Sequence, residues 1–128
     1  MTPPVIKKRI LCVGDDAGFL NLGRLLLLNP GYQVWVAESG LRALNLLNAR
    51  KPDVAIIDSQ ILGTNGAELA SKIKRLAPTV FVILVSDCQS VVEEATLFLD
   101  AASLKGEPVA QLAIQIEASA QFKIQSVF

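Results

Sequence analysis

Histidine is missing from all 128 residues of the sequence. That absence removes imidazole acid/base catalysis, histidine-ligated metal sites and a phosphohistidine step on this chain. Excess charge is missing as well: twelve basic and twelve acidic side chains cancel, leaving no electrostatic footprint for wrapping nucleic acid or lying on an anionic membrane. No apolar run approaches the roughly 18 residues that a bilayer-spanning helix needs. The opening Met1-Thr-Pro-Pro-Val-Ile-Lys-Lys-Arg9 lacks the charged-then-apolar layout of a secretory signal, so a cytoplasmic protein is expected. Cysteine is limited to Cys12, inside an apolar run, and Cys88, in a loop, a usage that suits reduced thiols better than a disulfide framework.

What is present is 52% hydrophobic and 19% charged, the balance of a globular chain. Its length is enough to bury a core without staples. One domain is expected over 1–128, with its core at about 8–120 and a tail at 121–128. The stretch from Lys51 to Gly66 organises the rest: Pro52 breaks what precedes it, Val54 to Ile57 is a continuous apolar run, and the run ends on Asp58 ahead of Gly63, Asn65 and Gly66. That is the signature of a strand buried on both faces, with a carboxylate at its carboxyl end.

Similar runs recur along the chain. Arg9 to Val13 ends on Gly14, Asp15 and Asp16; Gln33 to Ala37 forms a second strand; Val80 to Val85 ends on Ser86 and Asp87; Ala102 to Leu104 ends on Lys105 and Gly106. Helical spacing separates them. Helices are expected at Ala17–Leu28, with Phe19, Leu22 and Leu26 on a stripe wide enough to pack on more than one side, and at Gly40–Ala49, capped by Ser39, with Leu41, Leu44 and Leu47 inward. Three more are expected from Gly66 to about Leu76, with Leu69, Ile73 and Leu76 inward and Lys72, Lys74 and Arg75 outward, from Ser90 to Asp100, and from Pro108 to about Ala120. The fold class is therefore α/β: a doubly wound, five-stranded parallel sheet of flavodoxin-like order 2-1-3-4-5, with helices on both faces.

Such a topology brings the carboxyl ends of four strands together. Asp15, Asp16 and Asp58 would repel one another unless a cation lay between them, and oxygen-only ligands favour Mg²⁺ over zinc. The Ser86 hydroxyl and Lys105 ammonium arriving at the same edge are what a transferred phosphoryl group needs, one as hydrogen-bond donor and the other as point charge. Each residue alone has an ordinary structural role; their joint placement points to chemistry.

Ile10-Leu-Cys-Val-Gly-Asp-Asp16, Ala37-Glu-Ser-Gly-Leu-Arg-Ala-Leu44, Pro52-Asp-Val-Ala-Ile-Ile-Asp58, Gly66-Ala-Glu-Leu69, Val85-Ser86 and Leu104-Lys105 resemble the response-regulator receiver domain. The resemblance implies a signalling module in which Asp58 accepts a phosphoryl group from a histidine kinase or phosphotransfer protein. It also implies that Asp15 binds Mg²⁺ directly, that the Gln60 backbone carbonyl is a further ligand, and that Ser86 and Lys105 hold the phosphoryl. An Asp58–Lys105 ion pair is expected at rest.

The chain departs from that family's pattern in five places. Gly14 stands where the first of two acids is usual, Asp87 where a small residue follows the hydroxyl, Ala102 where an aromatic switch residue lies, Gly106 in place of a proline, and Ile61-Leu62 in place of a Met-Pro pair. Two other readings therefore stay open: a degenerate receiver acting as a phosphorylation-independent interaction module, and a flavodoxin-like small-ligand binder, which lacks a Gly-rich phosphate loop. Thr96-Leu-Phe-Leu99 and the apolar residues Leu112, Ile114, Ile116, Phe122, Ile124, Val127 and Phe128 are expected to leave apolar area exposed for a homodimer or effector contact through residues 90–120. The tail folding back over its own helix is the alternative.

Overall fold

A computed structural model describes residues 7–107 and 111–119. Strands β1 (Lys8–Val13), β2 (Tyr32–Ala37) and β3 (Val54–Asp58) alternate with helices α1 (Ala17–Leu27) and α2 (Gly40–Arg50). A short hairpin, β4 (Gln60–Ile61) and β5 (Thr64–Asn65), leads into α3 (Gly66–Leu76), followed by β6 (Phe81–Ser86), α4 (Gln89–Ala95) and β7 (Ala101–Leu104). A last helix, α5, spans 111–119. Five strands pair in parallel in the order β2-β1-β3-β6-β7, the 2-1-3-4-5 arrangement of the sequence reading.

The continuous apolar runs work because successive side chains enter opposite layers. Leu11, Val13, Ala55, Ile57, Val82 and Leu84 face α2, α3 and α4. Ile10, Cys12, Val54, Ile56, Ile83 and Val85 face α1 and α5 through Phe19, Leu26, Leu112 and Ile116. Ile56, Ile57, Ile83 and Leu84 are wholly buried, each contributing about 2 kcal/mol of transfer free energy. Cys12 is a free thiol in this interior, and burial pushes its pKa up to about 12.

Helix boundaries follow local chemistry. Asp16, Ser39 and Asn65 accept the N–H groups of Phe19, Arg42 and Glu68, capping α1, α2 and α3. The second helix ends on Lys51 in the left-handed region, φ 48°, where glycine is usual.

Several expectations need correction. Leu41 and Leu76 are 73% and 61% exposed, because α2 turns Ala43, Leu46 and Leu47 inward and α3 turns Ala70 inward with Leu69 and Ile73. Lys74 is not simply outward either, since its ammonium reaches the Pro78 and Val80 carbonyls and the Asp100 carboxylate. The stripe on α1 is narrower than its leucines promise: Leu25, Leu27 and Leu28 lie on the exposed side. The helix expected over Ser90–Asp100 stops at Ala95, where the chain tightens into turns as Leu97 and Phe98 donate to the carbonyls of Glu94 and Ala95, three residues back. Pro108 and the tail after Ser119 lie outside the described residues.

Among the described residues no helix is long and apolar enough to cross a membrane.

Candidate functional site

Asp58 closes β3 with its side chain on the face already taken by Val54 and Ile56, and it is fully buried. The backbone beyond it is clamped by α3: a Cβ on Gly66 would stand 1.9 Å from the Asp58 carbonyl oxygen, so only glycine lets the two elements approach. Ser59 N–H donates to the Val85 carbonyl and Gly66 N–H to the Ser59 carbonyl, which fixes the turn.

The two Asp58 oxygens meet different surroundings. Oδ1 accepts the Gln60 N–H at 3.0 Å. Oδ2 lies 2.8 Å from Lys105 Nζ, an ion-pair distance, but the ammonium is too far off the bond directions to donate a hydrogen bond, and Oδ2 has no other donor. Lys105 is aimed there by the end of β7, where its N–H donates to the Ser86 carbonyl. Its ammonium also donates to Asp16 Oδ2 at 2.9 Å.

Burial pushes the Asp58 carboxyl above the usual carboxylate range, although Lys105 and the Gln60 N–H pull the other way. The hydrogen bond from Lys105, with the Phe19 N–H, holds Asp16 below that range. Burial disfavours the Lys105 charge, but its pairing with both carboxylates outweighs this and raises its pKa.

The expected convergence is therefore met in part. Asp16, Asp58 and Lys105 come together on the α1 side of the sheet. Asp15 turns to the hairpin, where Oδ2 accepts the Leu62 N–H at 2.8 Å. Ser86 follows Val82 and Leu84 onto the opposite face, and its hydroxyl accepts from Ser59 Oγ at 2.8 Å and from the Cys88 N–H at 3.2 Å. Strand alternation is the reason: Asp58 pairs in register with Val85, so Ser86, one residue further on, points the other way.

Among the described residues no group of three or more Asp, Glu, Cys or His side chains is gathered as a ready metal cage. The donors themselves suit Mg²⁺: they are all oxygen, and the unbonded, buried Oδ2 of Asp58 is an acceptor in want of a cation.

Gly14 is explained by packing. A Cβ there would stand 2.3 Å from the Phe19 ring, which is itself buried, so the ring fills the space a side chain would use. Gly106 sits at φ 88°, which a proline cannot adopt. Asp87 is exposed. The Ser59 hydroxyl was missed in the sequence because nothing marks a serine after an acid as pairing with a serine on the next strand.

Comparison with known proteins places this geometry. The model of the response regulator receiver domain matches residues 10–103. The transcriptional regulatory protein GlrR of Escherichia coli is 38% identical over 77 residues, 60% of this chain and 17% of that protein. Sporulation initiation phosphotransferase F of Bacillus subtilis is 29% identical over 82 residues, 64% of this chain and 66% of that one. A CheY-like receiver domain structure from Methanospirillum hungatei superposes with a TM-score of 0.82 at 26% identity, covering 94% of this chain and 98% of its own. This chain therefore spans a small part of GlrR and about two thirds of the phosphotransferase. With a sheet order, a buried strand-end aspartate and an opposed lysine that all agree, the chain belongs to the response regulator receiver domain family of two-component systems.

Proposed function

We propose that this chain is a phosphoryl-accepting receiver in which Asp58 takes a phosphoryl group from a phosphohistidine on a histidine kinase or phosphotransfer protein. One observation carries the reading: a wholly buried carboxylate with one oxygen unbonded except for the lysine charge 2.8 Å away. Burying a carboxylate in this state is costly, and a structural aspartate would be expected to fill its hydrogen bonds. The name of the Bacillus subtilis relative, a phosphotransferase in sporulation initiation, supports the same chemistry.

Asp15, Asp16, Asp58 and the Gln60 carbonyl would hold Mg²⁺. When bound, the ion supplies charge neutralisation for the entering phosphoryl group. Asp58 Oδ2 is the nucleophile; its bond to phosphorus forms as the phosphorus–nitrogen bond to the donor imidazole breaks. Lys105 stays as the counter-charge to the acyl phosphate. Asp16 holds Lys105 at the site while Asp58 changes partner. Ser86 reaches the phosphoryl by giving up Ser59.

The test is incubation with Mg²⁺ and a small phosphodonor, read by intact mass. The wild type gains a single phosphate and Asp58→Asn gains none; an unchanged wild type, or equal uptake by the variant, overturns the proposal. A second reading, a receiver that binds partners without phosphorylation, is favoured by the Phe19 ring over Gly14. It expects no gain in mass and partner binding indifferent to Asp58→Asn.

A further inference from the structure

The early end of α4 leaves an open trough between α3 and α4. Two adjoining hollows of about 970 and 760 Å³ share Ala67, Glu94 and Phe98, so they form one channel. Its upper end reaches Gln60 and Ser86, and its lower end reaches Arg75. Ala67, Val91 and Phe98 give it an apolar lining, Phe98 remains 44% exposed, and Leu62 stands 91% exposed at the mouth.

The charges along the trough are ordered. Asp15 lies at the carboxyl edge of the sheet, Glu68 in the first turn of α3 and Glu94 on α4, whereas Lys72 and Arg75 occupy the later turns of α3. Glu68 and Arg75 are separated by about 10 Å of helix rise. Lys72, Arg75 and Glu94 make no ion pair among the described residues. Acid therefore gives way to base down one apolar channel.

We infer that this trough receives an amphipathic helix from a partner protein, lying antiparallel to α3. Helices favour acids in the first turn and bases in the last. Such a helix, its apolar stripe on Phe98 and Val91, meets Lys72 and Arg75 with its acidic start and Glu94 and Glu68 with its basic end. The reverse orientation sets like charges against like. Since Gln60 and Ser86 line the upper end of the same channel, occupancy there and any change at Asp58 bias one another reciprocally. Docking itself does not rest on phosphorylation and is tested without it.

The probes are two synthetic amphipathic peptides of about 14 residues, long enough for a helix induced on binding. They share a leucine stripe; one has glutamates in its first turn and lysines in its last, and the other has them exchanged. Binding to the unphosphorylated full chain is measured by calorimetry and by protection of the exposed Cys88 thiol, which lines the channel, from maleimide. The glutamate-first peptide is expected to bind about tenfold more tightly. Lys72→Glu with Arg75→Glu, both at exposed positions, is expected to reverse that preference, and Phe98→Ser to weaken both peptides. Equal binding of the two, binding of neither, or a dimer in sedimentation that shields Cys88 without peptide overturns the inference. Phosphate uptake is a separate readout, so failure of one proposal is distinguishable from failure of the other.

Discussion

The two edges of the sheet handle polar side chains in opposite ways. At the amino edge they end on full sets of partners. Lys74 Nζ reaches two backbone carbonyls and Asp100, Asp100 also accepts the Val82 N–H, Lys8 Nζ reaches the Ile116 carbonyl and Ser119 Oγ, and the Tyr32 hydroxyl donates to Glu117. At the carboxyl edge a buried carboxylate is left with one oxygen lacking a hydrogen bond, held by a lysine that it shares with a second acid. One edge is built to hold elements in place, and the other keeps a group under-satisfied, the usual condition of a site that must change partner.

The largest test of this contrast is at Gly66, where close packing holds the reactive edge in shape. Gly66→Ala must move α3 away from the Asp58 backbone and is expected to cost about 3 kcal/mol in urea unfolding. Next comes Lys74→Ala at the amino edge, which strips a mostly buried Asp100 of its cation and should cost about 2 kcal/mol.

Asp58→Asn should behave oppositely, losing no stability or gaining up to about 1 kcal/mol, because it removes a buried charge. Its pH dependence carries the sign. Burial raises the Asp58 pKa in the folded state, so the native protein binds the proton more tightly and its stability falls as pH rises from the ordinary carboxylate value through the folded one. The variant lacks that slope. A large loss in Asp58→Asn would break the contrast.

The smallest effect is optical. Tyr32 is the single tyrosine, and burial with the neighbouring Glu117 carries its pKa up to about 12. Tyrosinate absorbance should therefore appear near that pH, Glu117→Gln should lower the midpoint, and the stability Tyr32 contributes should be lost as pH rises from its ordinary value through about 12.

Strand content was legible because doubly buried strands are written as unbroken apolar runs, and the residues closing them were legible as acids, a hydroxyl and a lysine. Which face each closing residue takes was not read. Asp58 and Ser86 were expected at one point, and register with alternation set them on opposite sides of the sheet. Helix faces were harder, since leucines are so frequent that several stripes fit the same repeat: Leu41 was chosen over Ala43, and Leu76 over Ala70. The end of α4 had no proline or glycine to announce it. Of the site, Asp58 with Lys105 was legible, whereas the capping and ion-pairing duties of Asp16 depend on a distance between chain segments that no local pattern encodes.

Gly14 and Phe19 act as an evolutionary ratchet. With the ring 2.3 Å from where a Cβ would lie, a lineage carrying this pair does not acquire a side chain at that position in one mutational step. Phe19 must shrink first, and emptying its buried place costs about 3 kcal/mol. Descendants are therefore steered toward tuning Asp15 and Asp16 rather than back to an acid at position 14.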